Sequence, residues 1–103
     1  MAQLEDTVWN LYLVRTREGH LYTGIAKDVQ RRLAEHEKPG GRGAKYLRGR
    51  GPFQLAYCCT IGDHVLALRV EHGVKRLGKK RKEAMVRASP GAAELLTMLA
   101  IAL

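Results

Sequence analysis

The order of hydrophobic runs and breakers predicts an α+β fold: a small single domain whose three-stranded antiparallel-type sheet is flanked by helices. Three observations carry that prediction. Two short runs rich in β-forming residues, "VWNLYLVR" (8–15) and "LYTGI" (21–25), are joined by the turn-forming "TREGH". A third such run, "FQLAYCCTI" (53–61), follows only after a helical segment and a glycine-rich loop. The rest of the chain is helical in period, and a bare three-stranded sheet needs such cover to be stable.

Each element has a local cause. Asp28 is placed to cap the first helix, its carboxylate lying near the positive end of the helix dipole. That helix should reach His36 or Lys38, where "PGG" (39–41) breaks it. The segment up to Pro52, "GGRGAKYLRGRG", reads as a basic loop. Gly62 and Asp63 open a second helix over 64–77, with Leu66, Val70, Val74 and Leu77 as its apolar stripe. A short basic helix is expected over 79–88, and "SPG" (89–91) separates it from an apolar helical tail reaching Leu103.

A chain of 103 residues is long enough to bury one modest core and too short for two. The net charge of +8, from 18 Lys+Arg against 10 Asp+Glu, favours a polyanionic partner: nucleic acid first, an anionic membrane surface second. Charge alone also fits a merely basic surface. Cys58 and Cys59 are neighbours on a strand, so their side chains point to opposite faces and a disulfide between them would be strained. No zinc-ligand spacing accompanies them. They read as small buried hydrophobes in a reducing compartment, and with no signal peptide evident the cytoplasm is the expected location. The most apolar stretch, 91–103, contains Glu94 and is too short to span a bilayer, so no membrane association is expected.

Several polar residues fall where a core is expected. With Val29 at zero on a helical wheel, Leu33 lies at about 40°, His36 at about −20° and Arg32 at about −60°. Arg31 points almost the opposite way. Arg32 and His36 are four apart and share a face. On the second helix Glu71 falls at the edge of the apolar stripe, beside Ala67 and Val74. Any one of these, taken alone, reads as a boundary residue whose stem packs while its head reaches solvent. Tyr12 and Tyr22 lie on the two arms of the hairpin, and the sequence leaves open whether they share a face. Their coincidence with an arginine, an imidazole and a carboxylate, on elements expected to meet on one side of the sheet, points to a site.

These residues resemble the GIY-YIG nuclease family. "NLYLV" (10–14) matches the first motif, with Tyr12 as its tyrosine. "LYTGIAKDVQRRLAEH" (21–36) matches the second, with Tyr22, Gly24, the helix arginine at Arg32 and a His/Tyr position at His36. "LALRVEHGVK" (66–75) resembles the second helix, whose glutamate is Glu71. The segment "GAKYLRGRGP" (43–52) brings the likeness closer to the small stand-alone bacterial, YhbQ-like branch. The resemblance implies a GIY-YIG nuclease-like domain over 1–103, with a catalytic core at about 8–86 and a helical tail at about 87–103. Asn-Leu-Tyr and Tyr-Thr-Gly stand where the family has Gly-Ile-Tyr and Tyr-Ile-Gly, and the terminal asparagine of many members has no match.

What the resemblance implies is a metal-dependent DNA endonuclease. Phosphodiester hydrolysis needs an activated water, neutralised phosphate charge and help for the departing oxygen. No DxD or similar carboxylate cluster supports a two-metal site. Glu71, with waters and a phosphate oxygen, suits a single Mg²⁺ or Mn²⁺. In the implied mechanism Tyr12 takes the proton of the water, and His36 receives or shares it. Arg32 holds a non-bridging oxygen, and Tyr22 positions the phosphate or the water. Arg42, Lys45, Arg48 and Arg50, interleaved with glycines, are expected to meet DNA phosphates. So is the run containing Lys75, Arg76, Lys79, Lys80, Arg81 and Lys82, although such runs also serve as solvated faces. No base-reading helix is evident, so recognition by shape or backbone is expected, with branched or damaged DNA as candidate substrates and DNA repair as the setting. Two rival readings stand beside this one: a nucleic-acid-binding module with little turnover, and an interaction subunit whose C-terminal helix docks a partner protein or a second copy.

Overall fold

A computed structural model of the chain describes residues 8–38 and 43–103. The expected breaker at 39–41 and the expected DNA contact Arg42 lie outside the described residues. Strands β1 (Trp9–Arg15), β2 (Leu21–Ala26) and β3 (Gln54–Gly62) form one antiparallel sheet in the order β2-β1-β3. β1 is therefore central and covered on both sides, which is why Leu11 to Val14 are all apolar and all buried. A turn closes the hairpin, with Thr16 Oγ1 accepting from the His20 amide at 3.1 Å.

Alternation along β1 divides the interior in two. Leu11 and Leu13 face one way, packing with Tyr57, Val70, Val74, Met85 and Leu95. Tyr12 and Val14 face the other, with Ala26, Val29 and Leu47. Helices α2 (His64–Lys75), α3 (Lys79–Ala88) and α4 (Ala92–Met98) thus cover the first face. Helix α1 (Val29–Glu37) and a 3₁₀ turn at Lys45–Leu47 cover the second. The expectation that both long helices assemble on one side of the sheet is corrected here. The period-2 alternation of β1 sends its large side chains to both faces, and each face needs its own lid.

Local causes match the elements. Asp28 accepts from the Arg31 amide at 3.1 Å and Asp63 from the Leu66 amide at 2.9 Å, so both longer helices start on a carboxylate cap. The tail does not run as one helix to Leu103: α4 stops at Met98, and Leu95 is fully buried in the first core while Met98 and Leu103 stay exposed. The expectation of two buried cysteines also fails. Both thiols are free, and Cys58 is exposed on the edge strand β3 beside Leu55 and Thr60. These three share the Tyr12 face, but α1 packs over β2 at the opposite edge and leaves them uncovered.

Candidate active site

The hairpin register places Tyr12 opposite Gly24 and Val14 opposite Tyr22. Directly paired residues share a face, so both tyrosines lie on the α1 side of the sheet. Gly24 is required there. A Cβ built on it would stand 2.5 Å from both Cζ and Oη of Tyr12, so the phenol crosses β2 only because that side chain is missing. The neighbouring departure from the family motif also has a structural use. Asn10 Nδ2 donates to the carbonyls of Ala26 (3.2 Å) and Lys27 (3.1 Å), and its Oδ1 accepts from Thr60 Oγ1 at 2.7 Å. It ties the end of β1 to both edge strands.

Helix α1 delivers the next groups. Val29 and His36 are buried against the sheet, and the tandem arginines diverge as their spacing predicts: the Arg31 side chain is 77% exposed, that of Arg32 33%. His36 Nε2 lies 2.9 Å from Tyr12 Oη, and His36 Nδ1 accepts from the main-chain amide of Ala44 at 3.1 Å. Arg32 Nη1 donates to Glu35 Oε1 at 3.0 Å, a partner the sequence reading overlooked. The Tyr22 ring meets the His36 ring edge-on and stacks on Tyr46 with centroids 5.7 Å apart. The Arg50 guanidinium lies over Tyr46 in turn, 4.6 Å from its centroid.

Electrostatics link these groups to α2. The Tyr12 hydroxyl is pushed up to about 12, first by burial and then by the Tyr22 hydroxyl, while Arg32 works in the opposite direction. The Glu71 carboxylate adds a further upward push, so its charge is felt at Tyr12 although α2 packs on the other face of the sheet. Burial, and next the positive charge of Arg32, hold the His36 imidazole below its ordinary value, against the pull of Glu35. Glu71 is largely buried at 17% exposure and pairs with Lys75 Nζ at 3.4 Å.

Among the described residues no three His, Cys, Asp or Glu side chains stand together as a ready cation cage. The donor set is one largely buried carboxylate whose ammonium partner, Lys75, is half exposed. That suits Mg²⁺ or Mn²⁺, which use one or two carboxylates and take the remaining positions from water and substrate phosphate.

The expected DNA contacts fall into two groups. Lys45 and Arg48 are exposed on the loop over the Tyr12 face, while Arg50 is half-buried and also pairs with Glu18 at 3.0 Å. Lys79 and Lys80 are exposed at the start of α3. Lys79 and Lys82 line a groove of about 160 Å³ together with His20 and Tyr46. Glu83, on the same groove, is engaged by a two-pronged bond from Arg15, at 2.8 Å to each oxygen. Tyr46 thus borders both the groove and, through Tyr22, the Tyr12–His36 cluster. Lys75, half exposed on α2, pairs with Glu71. Neither Tyr46 nor the Ala44 amide was singled out from sequence. A main-chain donor leaves no trace in residue type, and Tyr46 sits in a run that reads only as basic loop.

Residues 8–84 match the family described as the GIY-YIG catalytic domain. The chain is 52% identical over 93 residues to the UPF0213 protein YhbQ of Escherichia coli O139:H28 (strain E24377A / ETEC), covering 90% of this chain and 91% of that protein. It is 50% identical to YhbQ of Escherichia coli O8 (strain IAI1) over the same shares. The solution NMR structure of the UPF0213 protein BH0048 from Bacillus halodurans superposes with a TM-score of 0.53 at 37% identity, covering 92% of this chain and 99% of that one.

Proposed function

Because the chain belongs to the GIY-YIG family, a family of nucleases, we propose that it is a metal-dependent endonuclease that hydrolyses DNA phosphodiester bonds, with branched or damaged DNA as its substrates and DNA repair as its setting. The observation that carries this reading is the meeting of the Tyr12 hydroxyl with His36 Nε2 at 2.9 Å, beside Tyr22 and Arg32 on the same face of the sheet. In hydrolysis the water oxygen bonds to phosphorus, the ester bond to the leaving oxygen breaks, and that oxygen takes up a proton. Tyr12, once its own proton has gone to solvent, accepts the proton of the water, Arg32 binds a non-bridging oxygen, and Tyr22 orients the phosphate. Glu71 would hold a single Mg²⁺ or Mn²⁺, which would supply charge neutralisation at the phosphate when bound. Lys45, Arg48 and Arg50 on one side, and Lys79 and Lys80 on the other, hold the flanking backbone, with Lys75 beside Glu71. The free thiols of Cys58 and Cys59 fit the reducing cytoplasm.

One observation favours a second reading. A phenol held near 12 is protonated at neutral pH, and Glu71 already has a cationic partner in Lys75, so the free protein is poised for binding more than for turnover. One assay separates the two. Duplex, flap, junction and single-stranded DNA are incubated with and without Mg²⁺. Nicking that disappears on chelation is expected. Salt-sensitive binding with no cutting on any substrate would leave the binding module.

A further inference from the structure

We propose that the Gly43–Leu47 segment is a tautomer clamp, in which the Ala44 amide fixes His36 as the Nε2–H imidazole and so makes His36 a hydrogen-bond donor to the Tyr12 oxygen. The inference rests on the reading of Tyr12 as a catalytic group and changes the role of its neighbour. A main-chain N–H can only donate. The Ala44 amide, 3.1 Å from His36 Nδ1, therefore requires a lone pair on that nitrogen. A neutral imidazole carries one proton, which must then sit on Nε2, 2.9 Å from Tyr12 Oη. Burial and the neighbouring Arg32 charge keep the ring neutral. His36 consequently has no lone pair to offer Tyr12.

The implied role of His36 as the receiver of the Tyr12 proton does not suit this geometry. The proton taken from water stays on the Tyr12 oxygen, restoring the phenol. Before that, the proton that Tyr12 releases to become a base goes to solvent, and the imidazole N–H stabilises the phenolate it leaves behind. His36 and the Ala44 amide are positioning groups for Tyr12.

The clamp is built into the sequence. Gly43 lets the chain come close: a Cβ there would lie 2.6 Å from His36 Cα and 3.0 Å from Nδ1. Beyond it, the Ala44 carbonyl accepts from the Leu47 amide at 3.0 Å, and Leu47 is fully buried. Tyr46 anchors the same segment on Tyr22.

The test is a nitrogen NMR spectrum of the His36 ring in the full chain, in wild type and in Ala44→Pro. Ala44 has φ −62°, the value proline imposes, so the substitution deletes the donor with little change of path. Wild type should carry its proton on Nε2 alone. Ala44→Pro should populate both tautomers, and Ala44→Gly, which keeps the amide, should retain the first. In cleavage, Ala44→Pro should lower kcat about tenfold with KM little changed, as expected for one lost hydrogen bond. A wild-type ring protonated on Nδ1 would overturn the proposal, as would an Ala44→Pro protein with an unaltered tautomer. Should that variant fail to fold, the wild-type spectrum decides alone. The spectrum needs no DNA, so a protein that cuts nothing but shows the Nε2–H ring ends the nuclease reading and leaves the clamp standing.

Discussion

Tyr12 depends on its neighbours more than on its own position. Its ring lies over a residue with no side chain, its oxygen meets an imidazole, and three further groups tune its ionisation. Gly24→Ala should therefore act on Tyr12 directly. The added methyl forces the phenol aside, which should cost about 1–3 kcal/mol in a urea melt, the usual range for overpacking. Cleavage should fall at least tenfold, because the hydroxyl no longer meets His36. Unchanged stability and rate would mean that the ring does not cross β2 as described. Much at this scale was legible in the sequence. The helical wheel separated Arg32 from Arg31 and put Glu71 at a stripe edge, because helical period is a local property. Cys58 was misread, because residue type does not say which half of an edge strand a helix covers.

Among the elements, the junction of α1 with the 43–47 segment is joined by a titrating group, His36. Folding holds His36 below its ordinary value, so the unfolded chain binds a proton more readily. The stability this contributes is present above the unfolded pKa of about 6.5 and is lost as pH falls through the lower folded value. Protonation would also set an N–H against the Ala44 N–H. The melting temperature should accordingly fall between pH 7.5 and pH 5, and His36→Gln should show a flatter dependence. Equal slopes in the two proteins would remove His36 from the junction. Element positions were mostly readable: the expected helix over 79–88 coincides with α3, and both aspartate caps stand where expected. The 3₁₀ turn and the shared face of Tyr12 and Tyr22 were not, because both depend on register and on contacts distant in sequence. The tail was half legible. Its apolar face packs on the first core, but the helix ends at Met98.

For the whole molecule, two cationic groups, one on the 43–52 loop and one on α3, meet at Tyr46, which lies under Arg50 and borders the groove lined by Lys79 and Lys82. Binding to DNA should weaken steeply with salt, since each phosphate contact releases counterions. A flat response would show that these cations do not face phosphate. Beneath them, the two-sided sheet holds Tyr12 and α1 on one face and α2 with Glu71 on the other, and the account stands or falls on their acting together. The most direct measurement pairs cleavage with binding for Glu71→Ala and for Arg32→Ala. Each should lose cutting of DNA in Mg²⁺ while its affinity for the same DNA stays within about threefold of wild type. Either variant cutting at the wild-type rate would contradict it.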